Sequence, residues 1–123
     1  MATKYTKVHQ KIDTTASKVT CDDGVLLVEC FNAIGQLVAE VSFDSFLVLR
    51  VSDEGVRLAL LDDLGPLRGF ILSAQDSSLI QWVSMEGKET RDLKHAGHFI
   101  VFAGEEVVDV VSVSMPQVTI HDV

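Results

Sequence analysis

Two histidines and an aspartate in the last third of the chain have the chemistry of a metal site. Asp92, His95 and His98 lie close together in the sequence, and imidazole and carboxylate groups are common ligands of zinc and other transition metals. A turn would bring the two rings together, whereas an extended strand would point residues three apart to opposite faces. These residues are therefore a candidate metal site only if the segment turns, and otherwise they are structural or surface side chains.

The chain lacks the familiar sequence signatures of catalysis. It contains no Gly-x-Ser-x-Gly elbow, no glycine-rich phosphate loop and no His-Glu-x-x-His segment. Its two cysteines, Cys21 and Cys30, are too few for a disulfide framework or a four-thiolate zinc site. We therefore expect no cofactor, no catalytic residue set and two free thiols.

Aromatic residues are the other candidates for binding. Trp82 is the only tryptophan, and an exposed indole is a frequent anchor of protein interfaces. Phe70, Phe99 and Phe102 are the further candidates for contact with a ligand or partner, and core packing is the alternative for all four. If the strands close into a barrel, the same side chains would line an apolar cavity for a small molecule, together with Phe31 and Phe43.

The sequence predicts that short strands position these residues. Segments rich in β-branched and aromatic residues alternate with Gly, Asp, Ser and Pro, and no long helix is evident. The predicted strands, about nine in number, are Val25–Phe31, Gln36–Phe43, Phe46–Val51, Gly55–Leu61, Arg68–Ser73, Leu79–Glu86, His98–Ala103, Val107–Ser114 and Gln117–Asp122.

The connections between these strands favour antiparallel pairing. Most are only a few residues long, and a parallel crossover needs about a dozen. Three segments have the composition of hairpin turns, namely 32–35, 52–55 and 103–106. The sequence thus predicts an all-β fold, either an antiparallel β-sandwich or a partly open β-barrel, with little helix.

Charge divides the chain into a basic N-terminal arm, residues 1–18, and an acidic single β domain, residues 19–123. The arm has four lysines and one aspartate, a net charge of +3, and the remainder has six basic and seventeen acidic residues, a net charge of −11. The arm fits either a helical stripe or an extended chain. The acidic body would repel nucleic acid and anionic membranes and would attract a basic protein surface.

Composition also bears on location and assembly. The N-terminal segment lacks the apolar run of a secretory signal, no stretch is long and apolar enough to span a bilayer, and we expect a cytoplasmic protein. Hydrophobic residues make up 47% of a short chain, more than one small core needs, which favours a homodimer. Our leading hypothesis is a non-enzymatic binding module, inhibitor-like or immunity-like, that engages a basic protein partner. The alternative is the small-molecule-binding barrel.

Overall fold

The computed structural model describes residues 3–90 and 92–123 and consists of two antiparallel sheets and two short helices. Every paired strand runs antiparallel to its neighbour. The strands are β1 (Lys4–His9), β2 (Ala16–Asp22), β3 (Val25–Phe31), β4 (Leu37–Phe43), β5 (Phe46–Asp53), β6 (Ile71–Gln75), β7 (Gly97–Ala103), β8 (Glu106–Ser112) and β9 (Gln117–Ile120). The predicted all-β architecture, with about nine strands and little helix, is confirmed.

The two sheets differ in composition and in what covers them. Sheet A has the strand order β1-β6-β7-β8-β5, and sheet B has the order β2-β3-β4-β9. Their facing sides form the main core, in which Phe43 of sheet B lies 5.8 Å, between ring centroids, from Phe99 of sheet A. Because side chains alternate across a strand, every second residue of β6, β7 and β8 points away from this core.

Helices α1 (Leu58–Leu64) and α2 (Ser78–Glu86) lie on the outer side of sheet A. Leu60 and Leu64, one helical turn apart, pack on Leu72 and Ile100 in a second core cluster. This outer layer explains why strands of sheet A are apolar on both faces, since both faces are covered.

Two predicted strands are wrong. Residues 55–61 form part of a 3₁₀ turn (Glu54–Val56) followed by α1, and residues 79–86 belong to α2. The second helix starts because Ser77 caps it: its Oγ accepts a hydrogen bond from the Ile80 N–H at 3.3 Å. A serine cap and packing on the sheet outweigh the β propensity of isoleucine, valine and tryptophan.

The N-terminal segment forms strands of both sheets. β1 pairs with β6 in sheet A, and β2 pairs with β3 in sheet B, so the connecting residues 10–15 cross from one sheet to the other. Gly104 lies against this crossing, where a Cβ would stand 2.6 Å from the Thr15 carbonyl oxygen. The β7–β8 turn at Gly104, with φ of 67°, is a hairpin as predicted. The hairpin predicted at residues 52–55 is wrong, because this segment leads into α1, and β5 pairs with the distant β8.

Candidate functional site

A buried chain of polar side chains lies on the outer face of sheet A, under the helices. The Ser77 Oγ is 2.6 Å from the His98 Nδ1, and the His98 Nε2 is 2.7 Å from the Asp109 Oδ1. All three residues are buried, and Asp109 is completely inaccessible to solvent. The chain connects the start of α2 to β7 and β8.

Two guanidinium groups complete this network on the second oxygen of Asp109. The Arg57 Nη1 and the Arg50 Nε donate to the Asp109 Oδ2 at 2.5 and 3.1 Å. Burial by itself would raise the pKa of Asp109, but the hydrogen bonds from His98, Arg57 and Arg50 outweigh it and hold the pKa well below its usual range. Asp109 is therefore a carboxylate that is stabilised by two cations.

Both nitrogens of the His98 ring have partners within the protein. The Ser77 Oγ accepts the hydrogen bond of the Ile80 N–H and is the partner of the His98 Nδ1. Because Asp109 is a carboxylate and can only accept, the His98 Nε2 donates its proton to the Asp109 Oδ1. The described buried side chains leave no nitrogen or oxygen without a hydrogen-bond partner, as expected for a stable buried network.

The distances in this chain are those of a serine–histidine–carboxylate triad, but its electrostatics are different. In a catalytic triad the carboxylate supports the imidazolium that forms during the reaction. Here Arg50 and Arg57 already compensate the charge of Asp109, and Ser77 is bound as the cap of α2. The geometry is that of a structural network, which fixes the helices on sheet A.

The structure does not bring the predicted metal ligands together. Asp92 accepts a hydrogen bond from the Lys94 N–H at 2.9 Å, and His95 is exposed in the loop before β7. His98 is the buried residue of the network. Over residues 3–90 and 92–123, no three His, Cys, Asp or Glu side chains are placed to hold a metal ion.

The predicted aromatic site residues lie in three different environments. Phe70 and Phe99 are buried between the sheets, whereas Phe102 is half-buried on the opposite face, against the α1 cluster. Trp82 lies on α2 with 55% of its surface exposed. These four side chains therefore do not line one common cavity.

Trp82 borders a groove between α2 and β5. The groove is lined by residues of both elements, namely Val48, Leu49, Arg50, Ser78, Leu79 and Trp82. Its helical wall combines the buried Leu79 with the exposed Trp82 three residues later. Arg50 belongs to this groove and to the Asp109 network, so the network also orients one wall of the groove.

Sequence reasoning missed the Asp109 network. A signal for Asp109 was present, because it is the one charged residue within an apolar run, Val107–Val113, and a charge inside such a strand needs a buried partner. Its partners could not be identified, since Ser77, Arg50 and Arg57 are distant in sequence and come together only in the fold.

Comparisons with known proteins identify no family. No protein-family model and no curated protein matches the chain. A solved structure described as "Crystal structure of an uncharacterized protein from Neisseria gonorrhoeae" is similar at 10% identity over 96% of this chain and 97% of that chain, with a TM-score of 0.45. A likeness this distant supports no functional inference. None of the helices in the described part of the chain has the length and apolar character to span a membrane.

Proposed function

We propose that this protein is a non-enzymatic binding module that engages a basic protein partner through the α2–β5 face, with Trp82 as the anchor. By the α2–β5 face we mean α2, β5 and the groove between them. The observation that carries the proposal is the exposure of Trp82 beside this groove. Exposed tryptophans next to an apolar pocket are typical centres of binding energy in protein interfaces.

A second exposed apolar residue extends the anchor along α2. Met85 is three residues after Trp82, hence on the same side of the helix, and 73% of its surface is exposed. Solvent-exposed tryptophan and methionine side chains on one helix face have an apolar area that a partner would cover favourably.

The charges around this face favour a basic partner. Asp62 and Asp63 on α1 and Glu86 on α2 are exposed, and neither helix contains a basic residue. Arg50 and Arg57, which lie next to the helices, both bind Asp109, and the exposed Lys88 after α2 is followed directly by the exposed Glu89. With a net charge of −8 for the whole chain, a basic protein would be attracted over a long range and would associate faster. An inhibitor or immunity protein of a basic target fits this description.

The small-molecule alternative has less support. It requires an interior cavity lined by the aromatic residues, but Phe70 and Phe99 pack within the main core while Trp82 is outside sheet A.

The electrostatic part of the proposal is testable through the single tryptophan. Because all indole fluorescence comes from Trp82, we expect caesium ions to quench the emission more efficiently than iodide ions at equal ionic strength. Neutral acrylamide serves as the control for accessibility. Stronger quenching by iodide would mean that the surroundings of Trp82 are not acidic, and would contradict the proposed charge complementarity.

Partner binding itself is tested with matched variants. The wild-type protein, Trp82→Ala and Ile34→Ala would each be immobilised and exposed to a native lysate, and retained proteins would be identified by mass spectrometry. Ile34, in the β3–β4 turn, is 78% exposed and lies on sheet B, so its removal controls for a general loss of apolar surface. We expect a basic protein that is retained by the wild type and by Ile34→Ala, lost with Trp82→Ala, and released by salt. Equal retention by all three variants would exclude the α2–β5 face.

A further inference from the structure

The four edge strands of the two sheets are protected to very different degrees. The edges are β1 and β5 in sheet A, and β2 and β9 in sheet B. Natural proteins usually protect an edge with lysine, proline or a short strand. β1 contains Lys4 and Lys7, β2 contains Lys18, and β9 has only four residues and follows Pro116.

β5 contains no lysine or proline and is not short, and the other forms of edge protection, a bulge and a neighbouring helix, occur only at its start, around Leu47. It has eight residues and is the longest strand, with the apolar sequence Phe-Leu-Val-Leu at its start. Its one cation, Arg50, binds Asp109, and 47% of the Arg50 side chain remains exposed. A bulge occurs between Phe46 and Val48, which leaves the residues from Val48 to Asp53 as a regular edge.

The backbone hydrogen bonds define which groups of this edge are free. The Glu54 N–H donates to the Glu105 carbonyl at 2.8 Å. In an antiparallel ladder the main-chain N–H and C=O groups of alternate residues point to the same side. Those of Arg50 and Ser52 therefore point toward β8, whereas those of Leu49 and Val51 point away from it. Within the described residues, Leu49 and Val51 have no backbone hydrogen bond on that outer side.

We propose that β5 receives an extended segment of the basic partner as an added antiparallel or parallel strand, held by the main-chain groups of Leu49 and Val51. An apolar side chain of that segment would occupy the groove beside Trp82. This inference rests on the proposed function, and it adds how the partner is bound: main-chain pairing supplies affinity, and the groove supplies selectivity.

Charge complementarity identifies a basic segment as the occupant. Exposed carboxylates stand at both ends of β5, Asp44 just before the strand and Asp53 as its last residue. A strand with lysine or arginine near each end would place those cations next to them. A second copy of this acidic chain would instead place its own carboxylates there, if its β5 paired antiparallel across a twofold axis.

The experiment uses a defined probe and residue-specific amide exchange. The probe is a peptide of alternating valine and lysine, which in extended form has an apolar and a basic face. Exchange of the ¹⁵N-labelled protein is followed by NMR with and without peptide. In the free protein we expect the amides of Leu49 and Val51 to exchange rapidly and that of Arg50 slowly. With peptide, Leu49 and Val51 become protected, and Trp82 fluorescence changes.

Two variants separate main-chain pairing from side-chain contact. Val51→Pro removes an outward N–H without breaking a bond to β8, and Val51→Ala removes the side chain but keeps the N–H. We expect Val51→Pro to weaken peptide binding by about tenfold or more, and Val51→Ala to weaken it much less. An unchanged exchange pattern at Arg50 in both variants establishes that β5 remains paired with β8.

Each alternative outcome overturns the inference in a recognisable way. If the peptide binds and Trp82→Ala abolishes binding, but Leu49 and Val51 stay unprotected, strand addition is excluded and the proposed function stands. If protection at these amides rises with protein concentration in the absence of peptide, a second copy is the occupant. If millimolar peptide changes neither the amides nor the fluorescence, β5 is not a receptor for basic strands.

Discussion

The Asp109 network provides the sharpest test of the structure, through the substitution Asp109→Asn. The amide is close in size to the carboxylate but has no charge, so Arg50 and Arg57 lose their counter-ion, and the amide NH₂ group must face one of three donors. Removing one member of a buried ionic network typically costs about 3 to 5 kcal/mol. For a chain of this length, that loss corresponds to a decrease in Tm of roughly 10 to 20 °C.

The assay is urea denaturation followed by circular dichroism, with Asp63→Asn as the control. Asp63 is exposed on α1 and makes no ion pair within the described residues, so its replacement should change the free energy of unfolding by no more than about 0.5 kcal/mol. If Asp109→Asn lowers the free energy of unfolding by less than about 1 kcal/mol, water reaches the arginines easily and the network does not fix the helices on sheet A.

The loss of stability caused by Asp109→Asn should change with pH in a defined direction. The pKa of Asp109 is lower in the folded than in the unfolded chain, so its stabilising contribution is complete above the ordinary carboxyl pKa and disappears as the pH falls through the folded value. From the titration of the Asp109 carboxyl group, the difference in unfolding free energy between wild type and Asp109→Asn should decrease as the pH falls below about 4. A difference that grows on acidification would refute this reasoning.

Two further predictions concern a turn and a thiol. Gly104→Ala should destabilise the fold by several times the roughly 1 kcal/mol expected for Gly24→Ala. Both glycines have positive φ, but only at Gly104 would the Cβ meet the Thr15 carbonyl oxygen. Equal losses of unfolding free energy in urea denaturation would show that residues 10–15 move aside freely. Burial raises the pKa of the Cys30 thiol to about 12, whereas Cys21 is exposed. A disulfide reagent at pH 8 should therefore modify one thiol in the native protein and two after unfolding. Rapid modification of two thiols in the native protein would contradict the burial of Cys30.

The fold class was predictable because alternation and turn composition are local signals. β3 and the hairpin at Gly104 follow directly from such signals. Helix α2 was missed because its residues have high β propensity and its helical state depends on the Ser77 cap and the sheet beneath. The long-range pairing of β5 with β8 was missed for a related reason, since no nearby residue indicates the partner of a strand.

The sequence could nominate residues of the candidate site but could not place them. Trp82 was a candidate contact residue with core packing as the alternative; the structure places it exposed on a helix, and its role as an anchor stays a prediction. His98 was assigned to a possible metal site because nearby sequence offered Asp92 and His95. Its actual partners, Ser77 and Asp109, lie on other elements, and only the three-dimensional arrangement of those elements brings them together.

The crossing of the chain between β1 and β2 also constrains the order of folding during synthesis. Lys4 pairs with Gln75, so β1 leaves the ribosome long before the strand that it needs, whereas β2 and β3 form a local hairpin at once. Non-local pairing is slow because a long loop must be closed first. Until β6 and β7 emerge, β1 is an unpaired strand attached to a sheet that is already forming, and its two lysines discourage premature association with other nascent chains during that interval.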